Sequence, residues 1–263
     1  MTTLVLASGS PRRGELLGRF GVAFEVRPVD LDESPLADEE PEDLVRRLAV
    51  AKAEAALATS GDSDVVVLAA DTVVVVDGAV LGKPADRTEA ATMLRRLSGR
   101  THQVVTGVAT ASRRSHPGGR PTQAHRPPGS SDGSRDDRGS GEVVSGEVAS
   151  GEMASGEMAS GGRDGDPAVG PAVTVAVAIA ATAVTFVELT EADIAWYVAT
   201  GEPFDKAGAY GIQGRGALFV ASIRGSWDNV VGLPLVPTRR LLADAGLDPF
   251  GPVASGPDRR AAP

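Results

Sequence analysis

Three short stretches and three lysines hold most of the side chains in this chain that could do polar chemistry. Ser8-Gly9-Ser10-Pro11-Arg12-Arg13 joins an apolar strand pattern to a helix start. Backbone N–H groups at a helix N-terminus, two hydroxyls and two guanidiniums make an anion trap suited to a polyphosphate. A capped helix with solvated arginines fits the same residues, and the spacing and lysine of a Walker A loop are missing. Asp71, in Ala70-Asp71-Thr72, sits inside an otherwise apolar run. A carboxylate there is costly unless it is paired or metal-bound, so a general base, a metal ligand and a hydrogen-bonded strand residue are all open readings. Lys52, Lys83 and Lys206 lie beside small or apolar neighbours in a chain with few lysines. Each could neutralise phosphate oxygens or simply face solvent. Asp30-Leu31-Asp32-Glu33-Ser34 is an acidic cluster that could supply a Mg²⁺ ligand or be a plain acidic loop. His102 reads as a structural hydrogen-bonder, and Trp196, Tyr197 and Trp227 as core or rim packing rather than a base-stacking platform.

Composition narrows the chemistry. The 263 residues include no Cys and three His, which excludes a disulfide scaffold, a thiol nucleophile and any Cys-based metal site. A net charge of −9 argues against broad nucleic-acid binding while leaving room for a local basic pocket. No unbroken apolar run reaches the ~18 residues of a membrane span, and residues 1–20 lack a signal-peptide core, so a cytoplasmic protein is expected.

The elements that must position these groups are legible as alternating strand and helix patterns. Thr3–Ala7 reads as a strand, followed by a helix with Ser10 as N-cap, Pro11 at its first position and Gly21 at its close. A strand is expected at Val26–Val29, a helix at Pro41–Leu57, and a buried strand over Asp64–Val76 broken at Asp71-Thr72. Helices are expected at Glu89–Leu97, after a Thr190–Asp193 capping box, and at Pro237–Ala245. His102–Ala111 and Ala172–Leu189 have the β-branched alternation of neighbouring antiparallel strands. Between them, residues 112–171 contain no Leu, Ile, Phe, Trp or Tyr, but 13 of the 32 Gly and a five-residue repeat from Ser140 to Ala159. Such a composition predicts a disordered, low-complexity insertion. The expected organisation is one mixed α/β domain formed by residues 1–111 and 172–250, with a flexible tail at 251–263.

Six ordered stretches together resemble the Maf family of nucleoside triphosphate pyrophosphatases: LASGSPRRGELL (Leu6–Leu17), LAADTVV (Leu68–Val74), LGKP (Leu81–Pro84), SGRTHQVVTGV (Ser98–Val108), GEPFDKAGAYGIQG (Gly201–Gly214) and VVGLP (Val230–Pro234). The resemblance implies a mixed twisted sheet with flanking helices around a deep nucleotide-binding cleft, as in the Maf and inosine-triphosphatase group. It implies hydrolysis of a nucleoside triphosphate to the monophosphate and pyrophosphate with Mg²⁺ or Mn²⁺ as cofactor. Carried over by motif, Asp71 would be the proton acceptor and, with Glu33, a metal ligand. Ser8, Arg13, Lys52 and Lys83 would hold the triphosphate, and Lys206 lies in another cleft motif. Arg12, Thr72 and Gln213 form the pattern similar to members acting on dTTP and UTP. Two rival readings keep the fold: a pyrophosphatase for modified nucleotides such as 7-methyl-GTP, and a non-enzymatic nucleotide-sensing regulator of division. Neither a nucleic-acid nor a membrane partner is expected, and a homodimer is left open.

Overall fold

The computed structural model describes residues 2–61, 64–113 and 173–248. The seven strands are β1 (Thr3–Leu6), β2 (Phe24–Val26), β3 (Val65–Val76), β4 (Ala79–Leu81), β5 (Thr101–Ser112), β6 (Thr174–Phe186) and β7 (Val220–Arg224). They form one sheet in the order β2-β1-β3-β5-β6-β7, with β4 attached to β3. β1 is parallel to both β2 and β3, and every other pairing is antiparallel, so the expected mixed α/β sheet is what forms.

Strand alternation assigns the two faces. Val65, Val67 and Ala69 of β3 meet Ala49, Ala53 and Ala56 of helix α2 (Pro41–Ala58). Val66, Leu68 and Ala70 face the other way, onto Leu16 and Leu17 of α1 (Pro11–Gly18) and Leu241 and Leu242 of α6 (Leu235–Asp244). Further along that face, Val74 and Val76 join α3 (Arg87–Leu97) and α4 (Glu191–Ala199) around Tyr197, Phe186 and Phe219. A five-residue helix, α5 (Trp227–Val231), precedes α6. Among the described residues no helix is long and apolar enough to cross a membrane.

β5 and β6 pair without a break from Thr101↔Thr185 to Ser112↔Thr174, the antiparallel neighbours expected. The strand carries on to Ser112, and Arg113 donates to the Leu57 and Gly61 carbonyls; the rest of the expected insertion, like the tail, lies outside the described residues. The capping box of α4 forms as read, Thr190 Oγ1 accepting from Asp193 N. Four expectations are corrected. β2 ends at Val26, before Pro28, which has no N–H to give a ladder. β3 runs straight through Asp71-Thr72 rather than breaking there, because β5 pairs with it along the whole stretch. Ser10 makes no side-chain cap; the hydroxyl of Ser8 accepts from Ser10 N at 3.2 Å. The last helix begins at Leu235, with Pro237 inside its first turn, where no N–H is needed.

Candidate active site

β3 changes partners halfway along one of its edges. It pairs with β1 only from Val65 to Leu68 and with β4 only from Val74 to Val76. Residues 69–73 therefore leave that edge without a strand, while β5 holds the other edge. A cleft of about 1140 Å³ runs past the gap, and all ten residues singled out above line it: Ser8, Arg12, Arg13, Glu33, Lys52, Asp71, Thr72, Lys83, Lys206 and Gln213. All three lysines of the chain are among them. Asp71 and Thr72 leave the strand on opposite faces, so one open edge presents both.

On the α2 face, the Lys52 ammonium bridges two carboxylates, 2.6 Å from Asp71 Oδ1 and 2.5 Å from Glu33 Oε1. Asp71 and Lys52 are buried and Glu33 is 44% exposed. The approach depends on Gly107, the ladder partner of Asp71. A Cβ there would stand 2.7 Å from the Val45 carbonyl carbon, so only glycine lets α2 lie this close. Two turns along the helix from Val45, Lys52 then points at Asp71. Lys83 Nζ lies 3.5 Å from Glu33 Oε2. Burial works to raise the Glu33 pKa, but Lys52 and Lys83 outweigh it and hold the carboxyl below its ordinary value.

On the opposite face Arg13 is held by three acceptors: Nε donates to Gly232 O at 2.7 Å, Nη1 to Ser8 Oγ at 3.3 Å and Nη2 to Thr72 Oγ1 at 3.0 Å. Burial lowers its pKa and the fields of Asp71 and Glu33 oppose that; a guanidinium stays charged regardless. Gly232 has φ 116°, a conformation that residues with a Cβ rarely adopt, and it lies against Arg13 and Thr72. Arg12 pairs with Asp205 at 3.0 Å, and Asp205 also holds Lys206 at 2.5 Å, tying the α1 loop to the 201–216 segment. Burial tends to raise the Asp205 pKa; Lys206 and Arg12 together bring it below the usual range. Gln213 is exposed at the rim, beside Ile212, which packs on the Thr72 face.

Reading by residue type missed the groups that hold these side chains. Asp205 is one, and its signal was its place next to Lys206. Glu202 is another: its carboxylate accepts from Tyr197 Oη and from the N–H groups of Arg215 and Gly216, and its backbone carbonyl accepts from Lys206 Nζ. The glycines of that stretch follow from this, since a Cβ on Gly214 would collide with Glu202 and one on Gly216 would lie 2.7 Å from Tyr197 Oη. Asn229, fully buried in α5, donates to Val104 O and Thr182 Oγ1, fixing the turn that carries Gly232. His102 lies away from the cleft, its Nε2 2.8 Å from Tyr210 Oη and its ring edge-on to Phe186. Burial lowers its pKa to about 4.

The described residues contain no group of three or more His, Asp or Glu placed to hold a metal. Asp71 and Glu33 still suit a hard divalent cation, because Lys52 engages one oxygen of each and the second oxygen of Glu33 meets only the exposed Lys83, at 3.5 Å. Mg²⁺ commonly takes one or two carboxylates and fills its remaining positions with water and substrate phosphate oxygens.

Comparison with known proteins agrees with this architecture. The family model described as Maf-like protein matches residues 3–126 and 165–245. The dTTP/UTP pyrophosphatase of Moorella thermoacetica is 45% identical over 253 residues, covering 96% of this chain and 100% of that protein. The dTTP/UTP pyrophosphatase of Anaeromyxobacter dehalogenans is 43% identical, covering 92% of this chain and 94% of its own. That of Escherichia coli O157:H7 is 41% identical, covering 93% of each.

Proposed function

The chain belongs to the Maf family, and from that premise we propose that it hydrolyses dTTP and UTP to the nucleoside monophosphate and pyrophosphate. The observation that carries this reading is the open edge of β3, where Asp71, joined to Glu33 through the Lys52 ammonium, faces a cleft lined by every lysine of the chain. Relatives that are 41–45% identical over nearly their whole length bear the same activity in their names.

A triphosphate brings about four negative charges, so binding is first a matter of neutralising and orienting it. Lys52 and Lys83 on the α2 side and Ser8, Arg13 and Lys206 across the gap surround the space where it would lie. Arg13 keeps its position because three protein acceptors already fix its plane. Glu33 and Asp71 would hold Mg²⁺ or Mn²⁺, which supplies charge neutralisation on the phosphate oxygens when bound. Asp71 accepts the proton of the water whose oxygen bonds to the α-phosphorus, as the bond from that phosphorus to the α,β-bridging oxygen breaks. The pyrophosphate leaves against Lys52 and Lys83, which stabilise the charge gathering on its bridging oxygen. The nucleoside lies toward Thr72, Gln213 and Arg12, on the other face of the strand. Gln213 offers its side-chain amide N–H as a donor to O4 of uracil or thymine.

Chromatography of UTP and dTTP incubated with the protein and Mg²⁺ or Mn²⁺ tests the reading. UMP, dTMP and pyrophosphate are expected; diphosphates with inorganic phosphate would overturn attack at the α-phosphorus.

A further inference from the structure

Behind the cleft runs a chain of hydroxyls whose hydrogens can be counted. Arg13 Nη2 donates to Thr72 Oγ1 at 3.0 Å, Thr72 Oγ1 lies 3.0 Å from Thr106 Oγ1, and Thr106 Oγ1 lies 3.3 Å from the carbonyl oxygen of Asn229. A guanidinium can only donate and a carbonyl can only accept, while each hydroxyl has one hydrogen. Thr106 must therefore spend its hydrogen on Asn229 O, and Thr72 must spend its own on Thr106. No other assignment makes all three bonds. Thr106 is fully buried on β5, and Asn229 is anchored by its amide to Val104 O and Thr182 Oγ1, so neither end of the chain is free to reverse.

We infer that Thr106 is a positioning residue that turns the Thr72 hydroxyl into an acceptor only, and so selects bases presenting a ring N–H donor. This rests on the pyrophosphatase reading and on Thr72 lying beside the base. Of the two lone pairs on Thr72 Oγ1, Arg13 occupies one, and the other remains for substrate. Uracil and thymine offer an N3–H to it. Cytosine presents a bare N3 at the same place, lone pair against lone pair, and a site built around one edge penalises the base that leaves its polar groups unpaired.

The test is kcat/KM for UTP and CTP in the wild type, Thr106→Val and Thr106→Ser. Valine keeps the shape and strand propensity of threonine, and Asn229 O is not orphaned because Gly232 N also donates to it at 3.0 Å. The wild type is expected to prefer UTP by about tenfold or more. In Thr106→Val the Thr72 hydrogen is released to face N3 of cytosine, and the UTP:CTP ratio is expected to fall by about fivefold, mainly through a gain on CTP. Thr106→Ser, which keeps the hydroxyl, is expected to restore the ratio. Loss of packing alone would lower both substrates together, so an unchanged ratio in a folded Thr106→Val that still cleaves UTP overturns this inference alone. No cleavage of UTP by the wild type overturns the pyrophosphatase reading and this inference with it. If Thr106→Val fails to fold, wild-type turnover of the N3-methyl derivative of UTP decides: a loss of about tenfold or more supports the inference, and a rate near that of UTP overturns it.

Discussion

A buried ammonium is tolerated at Lys52 because two carboxylates meet it, and the same pairing holds Asp71 in place at the cleft. Asp71→Asn keeps the size and the acceptor oxygen while removing charge and basicity. We expect kcat to fall by at least ~10²-fold, with the melting temperature nearly unchanged because Lys52 retains Glu33. Near-normal turnover by the folded variant would show that another group takes the proton. His102 makes a separate, stability-linked prediction. Its folded pKa of about 4 is depressed by burial from an ordinary 6.5. Below pH 6.5 the unfolded chain takes up a proton that the folded one refuses, so stability present at neutral pH drains away as pH falls from 6.5 towards 4. The whole effect is of the order of 3 kcal/mol. Carboxylate pairs elsewhere also weaken in acid, so the informative quantity is the difference between wild type and His102→Gln in urea unfolding at pH 7.5 and pH 5. The two should converge as pH falls, and a constant difference would mean that His102 is not the group responsible.

At the scale of elements, much of the site was readable because each motif had its local signature: Pro at a helix start, a carboxylate inside an apolar run, lysines among small residues. What could not be read was partner choice. A run such as Val65–Val76 states that a strand is buried, yet nothing in its valines says that β1 will hold its first third and β4 its last. Asp71-Thr72 therefore reads as a break in the strand, although it marks a gap in the neighbouring edge. The same reasoning explains the missed supports. Asn229 and Glu202 act through contacts far away in sequence, from α5 to β5 and β6 and from one 3₁₀ turn to another, and no spacing rule announces them. Gly107 is the most exacting of these long-range demands. Gly107→Ala would drive a methyl group into the Val45 backbone and push α2 off β5. A loss of about 1–3 kcal/mol is expected, together with a fall in kcat as Lys52 withdraws from Asp71. Unchanged thermal unfolding and turnover would show that the helix can shift without disturbing the pair.

Taken whole, the molecule is an anionic body, net −9, that has gathered its three lysines and two arginines of the α1 loop around one opening. The same lining carries Asp30, Asp32, Glu33, Asp71 and Asp205, so Arg12, Lys52 and Lys206 stand paired with carboxylates around the opening where an anionic substrate must enter. The long sequence excursion after β5 leaves the fold elsewhere. Ser112 and Thr174 are direct partners in the ladder, so the chain departs and returns on adjacent strands. Ser112 also pairs with Val66, five residues before Asp71 along β3, or about 17 Å from it at the usual rise of a strand. At that end Arg113 reaches the carbonyls of Leu57 and Gly61 beyond α2. Residues 114–172 contain no Leu, Ile, Phe, Trp or Tyr, so beyond Met153, Met158 and four Val they have little apolar side chain to give the core. Lengthening a loop also adds closure entropy only slowly, which is how a core can carry such a segment at little expense. Replacing 114–172 with a short Gly/Ser turn is therefore expected to leave kcat/KM for UTP within about twofold and to keep or slightly raise the melting temperature. A drop of several degrees, or a loss of turnover in the shortened protein, would show that the excursion packs against the domain or reaches the cleft.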